Sequence, residues 1–473
     1  MAVSNRKPRD GAAGSRARTK ISSKRGTTPP RLRRRRIRRN VCRRFKAVAA
    51  TVMSVLLLLW IAFFWGVSSG YFGSWIRMPM GSGKDFPLSP HISNPKPIPS
   101  GVNDHDSFAM NTNAYQSPLL IITCKRPNYL NRTLEHVLAT IPQPCGFGCP
   151  VVVSEDGDRK ENEELLFSFR ERFKAKGIPL LHIHHKEKKN LRQANSYVKL
   201  ARHFGWAISS VFDGTALSSD ALPERIMILE EDIEVAPDFF SYMESTSTLL
   251  DTDPTLLAVS AFNDNGHLKY GDPKRLLRSD FFPGLGWMMT RNLWTEELQS
   301  KWPYKNGYWD DWLRETEQRK NRQIIRPEVS RTYHFGSKGG ASQNEFGNIL
   351  ERVKINKDPI RWERENLSYL ESSAFEAEYE RLVSSSKLVK TVKDAKEVVE
   401  DLNARIEYED FSDFQLLAKE LGIMDDEKAA VPRTAYRGIV EVRVGTNLLF
   451  LTQKGEFNGY KPVLLRGKYK PKN

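Results

Sequence analysis

Three short apolar runs, Leu119–Cys124 (LLIITC), Pro150–Ser154 (PVVVS) and Arg225–Leu229 (RIMIL), each give way at once to charged residues. They are too short for membrane helices and too rich in Leu, Ile and Val for loops, so they read as strands buried on both faces. Between them lie helical stretches at Tyr129–Thr140, Glu161–Lys176 and around Gln193–Val211, with a further apolar segment at Pro179–His184. This alternation predicts an α/β fold with a mostly parallel sheet covered by helices on both faces.

In open α/β sheets ligands gather at the carboxyl ends of the strands, which directs attention to Lys125-Arg126, Glu155-Asp156 and Glu230-Glu231-Asp232. Three acids ending a strand as apolar as RIMIL are costly to leave unbalanced. A divalent cation with hard oxygen ligands, magnesium or manganese, bridging to a diphosphate would offset them. On residue types alone a solvated strand end is an equal reading. Trp309-Asp310-Asp311-Trp312 places two carboxylates between indoles, a partly desolvated setting that would raise a carboxylate's basicity. The same four residues also suit a helix start with Asp310 as N-cap and the tryptophans as packing residues. Pro283-Gly-Leu-Gly-Trp287 is a glycine turn that presents an aromatic face to a ligand or packs on the core.

Other candidates are weaker. His182, His184 and His185 share one segment, but nothing nearby in the sequence completes a zinc site, so they read as plain strand residues. Asp425-Asp426-Glu427 reads as solvated. The four cysteines include Cys42 beside an apolar run, and the spacing of Cys145 and Cys149 suits a small disulfide loop that leaves Cys124 free. Asn131-Arg-Thr133 and Asn366-Leu-Ser368 are glycosylation sequons.

A net charge of +16 would suit a nucleic-acid binder, but its placement excludes that class. Residues 1–46 hold 18 Lys and Arg against the single acid Asp10, leaving 55 basic and 56 acidic residues in the rest. The folded part is therefore nearly neutral, and no nucleic-acid partner is expected. Ala47–Val67 follows without a charged residue; as a helix its 21 residues rise about 31 Å, enough to cross a bilayer. Basic charge stays on the cytoplasmic side, so the remainder is expected in the lumen, a type II orientation. Residues 68–113, rich in Gly, Ser, Pro and Asn, read as a stem.

The C-terminal part follows a different pattern. Glu371–Asn403 is polar, helix-prone and expected to be solvated. Ser412–Leu421 is a helix with Ser412 and Gln415 as a capping box, ending at Gly422. Gly438–Val444 and Leu448–Leu451 flank Gly445-Thr446-Asn447 and read as a hairpin. These segments predict a smaller α+β unit over 371–473, after a main domain at 114–336 and a loop and linker at 337–370.

Several segments in order resemble the GlcNAc-transferase I family: LEEDIEVAPDFF (Leu229–Phe240), FPGLGWM (Phe282–Met288), YWDDWLR (Tyr308–Arg314), IRPEVSRTYHFGSKG (Ile325–Gly339) and VPRTAYRGIV (Val431–Val440). The resemblance spans roughly Leu119 to Leu451 and implies a GT-A fold with type II anchoring in the Golgi membrane. It further implies transfer of GlcNAc from UDP-GlcNAc, with manganese (Mn2+), to the α1,3-mannose arm of a high-mannose N-glycan, with inversion. By the same resemblance Asp232 is the metal-binding carboxylate and Asp310 the catalytic base. Arg126, Asp156, His203 and Glu231 match nucleotide-contacting positions, and Ser342 lies in a donor-covering loop at Lys338–Gly347.

The chain also departs from the family. Glu231 stands where Asp is common, and Ile325 where a cysteine is common; the residue that would pair with Cys124 is replaced near Gly157. Two other readings of the chain are an enzyme acting on O-linked mannose, for which the 68–113 stretch is too short and polar to hold the extra stem module, and a Golgi carbohydrate-binding protein without catalysis, against which Asp232 and Asp310 are retained.

Overall fold

The structure, a computed structural model, describes residues 117–144, 146–187, 194–217, 221–269, 271–336, 347–398 and 402–455. These belong to one compact unit. The basic tail, Ala47–Val67, the stem, Cys42, Cys145 and Ser342 lie outside the described residues. Among the described residues no helix is long and apolar enough to cross a membrane.

The first half of the unit follows the alternation read from the sequence. Strand β1 (Pro118–Thr123) leads to helix α1 (Pro127–Thr140), β2 (Gly148–Asp156), α2 (Lys160–Lys174), β3 (Leu180–His185), α3 (Ser196–Phe212) and β4 (Arg225–Glu230). Pro127 starts α1, where its fixed φ is already helical and its missing N–H costs nothing. Leu130, Leu134, Val137 and Leu138 form the stripe that α1 buries. In α2, Glu161 and Glu163 open the helix and Arg172 and Lys174 close it, each complementing the helix dipole. Asn195 caps α3, its side chain accepting from the Val198 N–H at 2.9 Å.

After β4 come β5 (Ile233–Val235), α4 (Phe239–Thr252), β6 (Leu256–Ser260), β7 (Leu276–Ser279), β8 (Trp287–Thr290), α5 (Trp309–Arg314), β9 (Gln323–Pro327) and β10 (Thr332–His334). Eight strands form one sheet in the order β3-β2-β1-β4-β8-β6-β9-β7. The β3-β2-β1-β4 half is wholly parallel, as is the β6–β9 pair, while β8 and β7 run antiparallel to their neighbours. Strand alternation splits the core between the faces. Leu119 and Ile121 pack with α1 and α2, whereas Leu120 and Ile122 pack with α3.

A second sheet joins β11 (Lys387–Leu388), β12 (Ala404–Tyr408), β15 (Val440–Val444) and β16 (Asn447–Gln453), with β13 (Glu427–Lys428) and β14 (Val431–Pro432) pairing beside it. The expected hairpin is the β15–β16 pair. Two expectations need correction. Helix α6 (Ser372–Ser385) is not a solvated stretch, because Phe375, Tyr379 and Val383, one turn apart, are buried in the main core. Helix α7 (Phe411–Leu421) is capped by Asp410, which accepts from the Asp413 N–H, and not by Ser412; its end at Gly422 is as read. Cys149 is disulfide-bonded and Cys124 is a free thiol, held above its ordinary pKa by burial and then by the charges of Asp156 and Glu231.

Candidate active site

The floor of the site forms where β4 runs out. Strand β5 turns away from the sheet and pairs antiparallel with β10, setting His334 opposite Ile233. Glu231 is locked between these elements. Its N–H donates to the Ile122 carbonyl at 2.9 Å, and its carbonyl accepts the Thr133 hydroxyl at 2.7 Å. One carboxylate oxygen accepts from the Thr123 hydroxyl and, at 2.9 Å, from the Cys124 N–H; the other takes Nε of Arg126 at 2.5 Å. Arg126 then reaches Asp232 Oδ2 with Nη2 at 2.7 Å, and His334 Nε2 lies 3.4 Å from the same oxygen. The extra methylene of Glu231 thus serves to hold the end of β1 and to aim Arg126 at Asp232.

The floor sets three acids, Glu230, Glu231 and Asp232, against two basic groups, Arg126 and His334. Burial opposes ionisation of Asp232, but the hydrogen bond and charge of His334, with Arg126, outweigh it and keep the carboxyl below its usual value. His334 answers in the other direction: burial lowers its pKa, yet Asp232 and Glu230 raise it overall. Glu230, recessed beside them, is pushed up to about 8 by burial and then by Asp232 and Asp310. Burial first, and the charges of Asp232 and Asp310 after it, keep Glu230 from ionising, so one more positive charge among these acids would be stabilising. Asp232, with Glu230 beside it, therefore fits a hard divalent cation.

The wall at the end of β2 is built from Asp156, His185 and His203. His185 Nδ1 is 2.8 Å from Asp156 Oδ1. Burial works against the Asp156 charge, but the His185 hydrogen bond and the nearby His203 and Lys199 hold its carboxyl below the ordinary value. His203, on α3, is 1 % exposed; burial drives its pKa down to about 3, so the ring is neutral, and Nε2 lies 2.8 Å from the Ser154 hydroxyl. Its ring stacks on His185 with centroids 5.3 Å apart.

Opposite stands α5. Gly307 has a φ of 73° and packs against the backbone of Tyr197 and Val198, while Tyr308 takes a left-handed φ of 48° and becomes the N-cap. Asp310 is therefore inside the helix and is not its cap, which corrects the sequence reading. Trp309 turns into a buried stack with Trp287 and Trp302, and Asp310 and Asp311 turn outward at 39 % and 37 % side-chain exposure. The carboxylates are thus not held between the indoles as expected. They are held by Arg314, whose Nη1 lies 2.9 Å from Asp310 and 2.7 Å from Asp311. Trp287 is 1 % exposed, so the glycine turn faces the cleft with Pro283, Gly284 and Leu285 and not with an aromatic ring.

These walls enclose a cleft of about 710 Å³, a volume suited to a nucleotide-sized ligand. Arg126, Asp156, His203, Glu231, Asp232 and Asp310 all line it, although they come from five separate stretches of chain. Glu230, part of the acidic triplet read from the sequence, lines it too, as do His334, Arg314, Lys428 and Arg433, which sequence patterns did not mark as site residues. His334 lies inside the resembling segment Ile325–Gly339, and Arg433 inside Val431–Val440, so the signal was present. Arg433 bonds Asp264 and, at 2.7 Å, Asp426, so the acids read as solvated at 425–427 include one that positions a cation of the cleft.

Comparison with known proteins gives three findings. Residues 100–464 match the sequence model of the GNT-I family. An alpha-1,3-mannosyl-glycoprotein 2-beta-N-acetylglucosaminyltransferase of Arabidopsis thaliana is 37 % identical over 337 residues, 69 % of this chain and 71 % of the relative. Among solved structures, S. aureus TarS 1-349 aligns at 12 % identity and a TM-score of 0.31 over 46 % of this chain and 61 % of its own length. Mannosyltransferase PcManGT from Pyrobaculum calidifontis, in complex with GDP-Man and Mn2+, aligns at 15 % identity and a TM-score of 0.29 over 46 % and 59 %. Scores this low add nothing to what the sheet itself shows.

Proposed function

This chain belongs to the GNT-I family, and from that premise we infer how its cleft works. It is an N-acetylglucosaminyltransferase that moves GlcNAc to the α1,3-linked mannose of glycoproteins. In our reading the fold is of the GT-A type, the donor is UDP-GlcNAc, the acceptor is a high-mannose N-glycan, and the linkage forms at the mannose 2-hydroxyl with inversion. The observation that carries this reading is the single cleft in which Asp310 faces the Arg126–Asp232 floor, close enough for its charge to act on Glu230.

Inversion needs one in-line displacement. The mannose 2-oxygen attacks the anomeric carbon, its proton passes to the Asp310 carboxylate, and the bond from that carbon to the phosphate oxygen breaks. Arg314 keeps the Asp310 carboxylate aimed into the cleft. Arg126, fixed by Glu231, presents positive charge to the departing UDP. Asp156 and neutral His203 offer an acceptor and a ring face to the nucleoside end. Asp232 would hold the divalent cation, manganese in this reading, which supplies charge neutralisation to the diphosphate when bound. Ser342 belongs, in the same reading, to a loop over the donor. The apolar run Ala47–Val67 and its basic flank support a type II anchor with the catalytic part in the Golgi lumen.

Incubating the protein with UDP-GlcNAc, manganese and a five-mannose N-glycan tests the assignment. A product heavier by one GlcNAc is expected. An unchanged N-glycan, with transfer to an O-mannosyl peptide instead, would overturn the choice of acceptor.

A further inference from the structure

We propose that Glu155, His182 and His184 form a second cation site, of the zinc class, on the face of the sheet away from the donor cleft. The β2–β3 register sets Val153 beside His182 and Glu155 beside His184. Alternation along both strands then puts these three side chains on the α2 face, while Asp156 and His185 point to the α3 face and the cleft. The histidines have no third ligand within their own segment because that group, Glu155, comes from the neighbouring strand.

The three converge. Nε2 of His182 lies 3.1 Å from Glu155 Oε2, Nδ1 of His184 lies 3.9 Å from the same oxygen, and the two imidazole rings are 4.1 Å apart at their centroids. One ligand atom from each residue falls within 4.8 Å of the other two. The supports around them are those a metal centre uses to orient its ligands. The other nitrogen of His182 meets Glu163 at 3.0 Å, while Nδ1 of His184, now 3.0 Å from the Gly157 carbonyl, would exchange that contact for the cation. The far oxygen of Glu155 accepts from the Arg159 N–H and from Asn162, each at 2.9 Å.

Burial and chemistry choose the occupant. The side chains of Glu155 and His182 are 0 % and 1 % exposed, and His184 at 34 % leaves an entry path. Two imidazoles and one carboxylate favour a borderline cation such as zinc over magnesium or calcium, which take oxygen ligands. A cation here ties edge strand β3 to β2 next to Asp156, the residue that builds the donor wall. The competing reading is a site without metal, in which His182 bridges Glu155 and Glu163 through its two ring nitrogens.

A zinc titration of the chelator-stripped full chain against a chromophoric zinc indicator separates the two. Native protein is expected to hold one more equivalent than His184→Ala, and Asp232→Asn, which removes the cleft's cation ligand, one more than the Asp232→Asn, His184→Ala double variant. Glu163→Gln should keep that equivalent but bind it about 10- to 100-fold more weakly. His184 and Glu163 are both solvent-accessible, so neither change threatens the core, and circular dichroism checks this. Equal stoichiometry in native protein and His184→Ala, or no zinc retained by native protein, overturns the site.

Discussion

Gly336 faces Asp232 so closely that a methyl group on its α-carbon would stand 2.0 Å from Oδ2 of that carboxylate. The approach is fixed by backbone, because Phe335 donates its N–H to the Asp232 carbonyl at 3.0 Å just beyond the β5–β10 pairing. Gly336→Ala must therefore push the Asp232 carboxylate off Arg126. Displacing a positioned group by about 1 Å costs on the order of a hundredfold in rate. Steady-state kinetics should show that loss with an unchanged thermal unfolding midpoint; full activity would mean that Asp232 needs no fixed position.

Removal of metal tests the same corner from another side. Chelation should abolish transfer, and added manganese should restore the starting rate in native protein. Asp232→Asn should recover little at the same manganese concentration, since the floor then lacks its charged ligand. Equal recovery by the two proteins would move the cation elsewhere.

Stability should depend sharply on Asp238. Its carboxylate pairs with Arg331 at 3.1 Å, both side chains being 0 % exposed, and accepts from the Trp362 indole at 2.8 Å. Removing one partner leaves a buried charge uncompensated, at a cost of about 3–5 kcal/mol. Asp238→Ala should lose that much in denaturant unfolding, whereas a change below 1 kcal/mol would show that Arg331 finds another partner.

His203 gives a pH signature. Its folded value of about 3 lies below the ordinary 6.5, so between those values the unfolded chain binds a proton that the folded chain refuses. The stability this contributes is complete above 6.5 and is lost as the pH falls. From pH 7 to pH 5 the native protein should lose about 2 kcal/mol more than His203→Gln. Glu230 and His334, both shifted upward, act in the opposite direction but are common to both proteins and cancel in the difference. Parallel stability curves would contradict a neutral, buried His203.

The fold was legible wherever local pattern decides structure. LLIITC, PVVVS and RIMIL are strands because short β-rich apolar runs bounded by charge favour a buried strand, and the charged residues after them, Glu155 excepted, do line the cleft. What escaped were relationships set by chain-distant partners. His334 reaches Asp232 only through the β5–β10 pairing, and Arg433 meets Asp264 across 169 residues. The fate of Trp287 depends on Trp309 and that of His182 on Glu155, neither of which periodicity connects. Asp310 looked like a cap because nothing in YWDDW announces that Tyr308 takes the left-handed turn.

The most direct test of the catalytic assignment is Asp310→Asn, measured for transfer and for UDP-GlcNAc affinity on one preparation. General base catalysis contributes roughly 100- to 10,000-fold, so turnover should fall by that order while donor affinity stays where it was. Near-native turnover in the variant would contradict the account.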